Sequence, residues 1–330
     1  MNIKSRIDNL SPGVGVVAIT GLAALFLSEH YNTPVMLLAL LLGIAVSFLY
    51  EETRCREGID FASGHLLRIG VALIGLRIAV SDLVDLGWQT GLLIAAAVAS
   101  TIIFGILLCR ALGMPRHFGA LTGGAVGICG ASAALAISSV LPDSDHKERD
   151  TLLTVIGVTL LSTIAMVLYP IIASTLDLNT AETSLFLGGT IHDVAQVVGA
   201  GYSVSSETGD LATLTKLVRV SFLVPVVMIF VLVLCRKKNG TVRPGATMLP
   251  WFLVVFIALM ILNSVITIPS TITESASSFS RFALIMAIAG IGMKSNLRQL
   301  LEVGIKPILV LVIETAWIAC LFLGYICFMN

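Results

Sequence analysis

Apolar runs of roughly 17 to 25 residues recur along the whole chain, and a helix of that length crosses a hydrocarbon core of about 30 Å. Lipid offers the backbone no hydrogen bonds, so runs this long must satisfy their own peptide groups as helices. The sequence therefore predicts an all-α polytopic membrane protein. With 57% hydrophobic and 12% charged residues over 330 positions and a mean hydropathy of +0.99, no stretch remains for a large soluble domain. The lipid bilayer is an expected partner and nucleic acid is not. Six cysteines (Cys55, Cys109, Cys129, Cys235, Cys320 and Cys327) lack CxxC spacing and read as free thiols, with no metal site and no cofactor implied.

Hydropathy places about eleven spans, near 12–28, 34–50, 62–80, 87–109, 118–141, 151–174, 183–203, 212–235, 249–268, 279–293 and 305–328. Lys4 and Arg6 precede the first run, but Ser28-Glu29-His30 is no A-x-A cleavage site, so an uncleaved span is expected. A cytoplasmic N-terminus puts most of the Lys and Arg inside, including the RKKNGTVR loop at 236–243. Only Arg77, Lys147, Arg149, Lys216, Arg219 and Arg281 then fall at outer span ends. The asymmetry predicts N-in and C-out.

The segment IGLRIAVSDLVDLG (74–87) aligns without a gap on IGMKSNLRQLLEVG (291–304), with Arg77 over Lys294 and Asp85 over Glu302. Allowing one residue of slip, Pro34 falls over Pro250. The paired spans are the third and the tenth, which run in opposite directions, so residues 34–110 and 250–328 read as approximate inverted repeats within a single membrane domain, 1–330. Inverted repeats are characteristic of alternating-access transporters. Similar cations snorkelling at span ends would explain Arg77 and Lys294, but not the acidic residue and glycine that follow.

Two glycine-rich segments interrupt spans, at 118–141 and 183–203. In GGAVGICGASAALA, Gly123, Gly124, Gly127 and Gly130 each weaken helix by roughly 1 kcal/mol relative to alanine. The reading is a half-helix whose N-terminus, near Cys129 to Ser132, offers free N–H groups to an anion, with Thr122 and Ser132 adding hydroxyls. Close helix packing through small residues is the plainer alternative. In GGTIHDVAQVVGAG, Gly188, Gly189 and Thr190 precede His192, Asp193 and Gln196, polar groups that normally face an interior cavity. His192 and Gln196 are read as sharing a helix face, with His192 a ligand or proton group oriented by Asp193, or the set serves as a polar buttress between helices. Glu314, near the centre of the last span, either carries a coupling proton or makes an interhelical hydrogen bond. Lys216 and Arg219 read as snorkelling cations in the first turns of the eighth span, and His192 is expected to matter more to anion binding than Lys216.

The pieces LRIGVALIGLRI, GGAVGICGASAALAISSVLP, GGTIHDVAQVVGAG and AGIGMKSNL resemble the YeiH/YadS family of bacterial inner-membrane proteins, labelled sulfate exporters, over essentially the whole chain. The resemblance implies the cation:proton antiporter and anion transporter superfamily, with inverted repeats, a core domain of broken crossing helices and a panel domain. It leaves one misfit, since the repeat pairs the third and tenth spans while the breaks fall in the fifth and seventh; AGIGMKS is the alternative place for a break. Together these features predict a secondary transporter exporting a small anion such as sulfate, sulfite or a sulfonate, coupled to protons or Na+, with His192, Asp193 and Glu314 as coupling groups and a homodimer as an admitted assembly. The rivals are a cation:proton antiporter using Asp193 and Glu314, and an intramembrane enzyme pairing Cys129 with His192.

Overall fold

The computed structural model describes residues 3–31, 33–51, 53–142, 146–235, 250–266, 268–295 and 305–329. Helices account for nearly all of them: α1 Ile3–Tyr31, α2 Val35–Ala45, α3 Thr53–Phe61, α4 Leu67–Ile74, α5 Gly87–Ala111, α6 Arg116–Gly127, α7 Ala131–Val140 and α8 Lys147–Thr175. Beyond them come α9 Thr180–Thr190, α10 Val194–Val204, α11 Ser206–Ser221, α12 Leu223–Cys235, α13 Trp251–Val265, α14 Ser270–Lys294 and α15 Ile305–Met329. No strand occurs among the described residues. Each hydropathy span is helical, and six stretches are long and apolar enough to cross a membrane alone: Asn9–Tyr31, Gly87–Ala111, Lys147–Thr175, Ser206–Leu232, Ser270–Lys294 and Lys306–Phe328.

The side chains are distributed inside out relative to a protein in water. Phe26 is 69% exposed and Trp88 76%, while Lys216, Arg219, His192 and Glu314 are fully buried. Hydrocarbon around the molecule rewards the first arrangement and forces the second, because a charge facing lipid has no partner. The protein is thus a polytopic membrane protein.

Two compact units interleave along the chain. The first comprises Met1–Asp85, Val198–Thr213 and Pro250–Asn296; the second comprises Leu86–Val197, Leu214–Leu249 and Leu297–Asn330. Within the first unit, Pro34 and Pro250 stand at the N-caps of α2 and α13 with φ of −55° and −56°, where a missing N–H is harmless. The third span begins earlier than hydropathy placed it: α3, a π-turn at Ala62–Leu66 and α4 form one helical path that ends at Ile74. Gly43 and Gly292 bring α2 and α14 into backbone contact, since a Cβ at Gly43 would lie 3.0 Å from the Gly292 Cα.

The cations of the proposed repeat each meet an aspartate that also binds a tyrosine. Arg77 pairs with Asp210 at 2.8 Å, and Tyr202 donates to the same carboxylate. Lys294 pairs with Asp60 at 2.7 Å, and Tyr50 donates to it at 3.2 Å. Helix α14 runs unbroken to Lys294, so AGIGMKS is not a break, which corrects that alternative. The rest of the second repeat copy, 296–304 with Arg298 and Glu302, lies outside the described residues, as does the 236–243 loop.

In the second unit α5 and α6 pack through Gly105 and Gly119, each seated against the other's backbone. A Cβ at Gly105 would collide with the Glu314 carboxylate and lie 2.6 Å from the Gly119 carbonyl oxygen; one at Gly91, on the same helix, meets nothing within 4 Å. Gly105→Ala should therefore lower the thermal midpoint in detergent. Gly91→Ala should hold or raise it, because alanine favours helix by about 1 kcal/mol. Intrinsic tryptophan fluorescence during heating reads both.

Candidate functional site

Both breaks lie in the second unit, and each is shorter than the glycine pattern suggested. Helix α6 continues through Gly127; Ile128 leaves helical geometry at φ −115° and ψ −82°, and Gly130 takes φ +65° before α7 starts. Only glycine adopts that conformation without strain. Helix α9 runs through Gly188 and Gly189 to Thr190, Ile191 is extended, and α10 starts at Val194. Every helix end leaves carbonyls without intrahelical partners, and inside a membrane water cannot be assumed to take them.

Two cations on α11 take them. Lys216 donates to the carbonyls of Ile128 and Ile191, both at 2.8 Å. Arg219 donates from Nε to Gly127 at 2.6 Å, from one terminal nitrogen to Gly189 at 2.8 Å and Ile191 at 3.1 Å, and from the other to Val126. Residues three apart share a helix face, so one turn of α11 holds the carbonyl ends of both interrupted helices. Each such end carries roughly half a negative charge, which a buried cation offsets. Lys216 and Arg219 are 0% and 1% exposed, so the snorkelling reading is overturned. The signal was their spacing combined with depth: α11 starts at Ser206, which puts Lys216 about 15 Å along the helix at 1.5 Å per residue, too deep to reach its start.

The N-terminal side of the first break is occupied as well. The Asp193 carboxylate lies at the start of α7, over Gly130 so closely that a Cβ there would sit 3.0 Å from its Cγ. Gly130 thus gives space to Asp193. The Asp193 N–H donates to Ser162 Oγ at 3.1 Å, fixing the second break against α8. Cys129, in the first break, is buried.

His192 is held by α15. Thr315 donates its hydroxyl to Leu311, so the 2.9 Å contact between Thr315 Oγ1 and His192 Nε2 has the imidazole as donor. Its Nδ1 makes no bond of hydrogen-bond geometry among the described residues, with the Val126 carbonyl beside the ring. Next to Thr315, Glu314 accepts from Thr122 at 2.8 Å through Oε1, while Oε2 and the Gln196 Oε1 have no partner among the described residues.

The residues singled out from sequence divide accordingly. Cys129, Gly130, His192 and Asp193 lie at the breaks, and Gly127 contributes its carbonyl. Gly123, Gly124 and Gly189 sit inside helices and admit neighbours: Thr101 and Ile102 at Gly123, the Ile137 side chain at Gly124, the Phe322 ring at Gly189. Gly188 is buried within α9, and Thr190 donates back to Phe186 at 2.5 Å. Ser132 is exposed. Asp193 lies against Gly130 and makes no hydrogen bond to His192 among the described residues, and His192 precedes α10 and so does not share its face with Gln196. Thr122 donates to Glu314, the interhelical bond foreseen as one of two roles for that carboxylate. No hydrogen bond joins Cys129 and His192 among the described residues, and the imidazole bonds to Thr315. Among the described residues no cluster of His, Cys, Asp and Glu could hold a metal ion.

The model of the family described as "Conserved hypothetical protein 698" matches residues 12–311. The chain belongs to that family. The full-length resemblance read from CGASA and TIHDVAQV therefore holds. A UPF0324 membrane protein of Chlorobaculum tepidum is 48% identical, covering 99% of this chain and 92% of its own. The UPF0324 membrane protein TauZ of Paracoccus denitrificans is 46% identical over 96% and 94% of the two chains. A solved sodium proton antiporter, MjNhaP1 from Methanocaldococcus jannaschii, aligns at 14% identity over 94% of this chain and 97% of its own with a TM-score of 0.27, too loose a superposition to carry an argument.

Hydrogen bonds to charged groups contribute about 1.5–3 kcal/mol each. Arg219→Ala, which strands the carbonyls of Val126, Gly127 and Gly189, should therefore lower the thermal midpoint more than Lys216→Ala, and both more than His192→Ala. Arg219→Lys should recover only part of the loss, because an ammonium cannot reach this spread of acceptors. Thermal unfolding of the four variants checks the order.

Proposed function

We propose that this protein is a secondary active transporter of a small anion, working in the bacterial inner membrane with its N-terminus in the cytoplasm and its C-terminus outside. The observation that carries the reading is the charge balance at the breaks. Lys216 and Arg219 lie near a single carboxylate, Asp193, and the helix carbonyl ends offset only one of them, so the start of α7 holds a positive charge that one anionic group must balance. Interrupted helices with exposed backbone at depth are the usual substrate sites of transporters built from inverted repeats. Asp193 and Ala131 are half-buried and Ser132 is exposed, so the site is reachable from outside the packed interior.

Sulfate, sulfite and sulfonates are the substrate classes, export is the direction that the family resemblance implies, and protons or Na+ supply the coupling through Asp193, His192 or Glu314. A homodimer is the proposed assembly. The cation:proton antiporter alternative draws on Asp193 and Glu314. It is the weaker reading, because a metal cation arriving at Asp193 meets Lys216 and Arg219 beside it.

A bound anion stabilises the folded protein by mass action, roughly 2.7 kcal/mol at a hundredfold excess over Kd. Purified protein should therefore melt higher in sulfate, thiosulfate or ethanesulfonate at fixed ionic strength. Lys216→Met should lose the response. Stabilisation by Na+ or Li+ with no response to any anion would instead establish the cation exchanger.

A further inference from the structure

We propose that Asp193 is the chain's own occupant of the anion position, and that a substrate anion enters only as Asp193 takes up a proton, so that anion and proton bind together. The inference rests on the anion-transporter reading and deepens it by naming the coupling group among three candidates.

The geometry is one of competition for the same place. The Asp193 carboxylate lies against Gly130 at the start of α7, with Cγ and Oδ2 at 3.0 and 3.4 Å from where a Cβ would stand. Lys216 gives two of its three protons to Ile128 and Ile191, and its charge favours the ionised carboxylate nearby. An incoming anion needs the same helix start and cannot share it with a carboxylate.

The charges lead to the same exchange. Two helix carbonyl ends, each worth about half a charge, offset one of the two cations, and Asp193 offsets the other. An added anion would leave two negative charges facing one remaining cation. Protonation converts the Asp193 carboxylate to the neutral acid with a proton drawn from water, and the anion replaces the charge removed. On release the proton leaves and the carboxylate resumes its place against Gly130. No covalent bond is made or broken beyond the O–H.

The other titratable and charged groups around Asp193 are Lys216 and Arg219 on α11, Cys129 in the first break, His192 beside it, Tyr169 on α8 near Arg219, and Glu314 on α15 bonded to Thr122. His192 donates to Thr315, and Glu314 takes the Thr122 hydroxyl, so both are engaged away from Asp193.

The test uses full-length protein in detergent with sulfate, thiosulfate and ethanesulfonate, anions that stay ionised from about pH 5.5 to 8. Because binding favours the protonated acid, apparent affinity should fall about tenfold per pH unit above the carboxyl's own pKa and level off below it. In weakly buffered solution with a pH indicator, about one proton should be taken up per anion bound at the alkaline end. Asp193→Asn should bind with no pH dependence. Anion binding by the native protein without proton uptake overturns the proposal, as does a slope that survives in Asp193→Asn or disappears in His192→Gln. If Asp193→Asn does not fold, the proton count of the native protein decides. No stabilisation by any of the three anions at any pH overturns the anion-transporter reading itself.

Discussion

Hydrogen bonding of helix carbonyls by two buried cations is the interaction on which the second unit depends. An interrupted helix in a membrane leaves polar backbone where water is scarce, and the cost of leaving even one such group unpaired is comparable to that of a lost hydrogen bond. Here the carbonyls of Val126, Gly127, Ile128, Gly189 and Ile191 all turn toward one face of α11. The cations need those acceptors as much as the acceptors need them, since a buried ammonium or guanidinium without partners is itself prohibitive. The two demands cancel, and the breaks become stable features of the fold.

Other charged groups are paired in the same economical manner. In the first unit, Arg77 and Lys294 each find an aspartate that a tyrosine also engages. In the second, neighbouring residues of α15 reach different helices, Glu314 toward Thr122 of α6 and Thr315 toward His192 of the second break. Glycines do the rest of the joining by letting backbones touch, at Gly43 and Gly292 in the first unit and at Gly105 and Gly119 in the second. Packing of this kind is what holds helices together when the surrounding lipid is as apolar as the side chains.

Much of the fold was legible because hydropathy and helix length answer to one constraint, the thickness of the bilayer. The two breaks were legible too, because glycine density and intramembrane His and Asp are rare for a reason. The exact point of interruption was not: Gly123, Gly124, Gly188 and Gly189 are invitations to close packing as readily as to unwinding, and only the neighbours decide. Lys216 and Arg219 were misread because span ends drawn from hydropathy started α11 six residues late, which moved both cations to an apparent surface. The seat of Asp193 against Gly130, 63 positions away in sequence, leaves no local trace at all.

The clamp also bears on how the chain is made. Lys216 lies 88 residues beyond Ile128, and Arg219 lies 92 beyond Gly127. During synthesis the first break is complete long before the helix that satisfies it has left the ribosome. Its open carbonyls must meanwhile stay in contact with water or with the insertion machinery, so α6 and α7 cannot settle into lipid on their own. Integration of the second unit is therefore a collective step that waits for α11, and a chain truncated before that helix would present two unsatisfied breaks to the membrane.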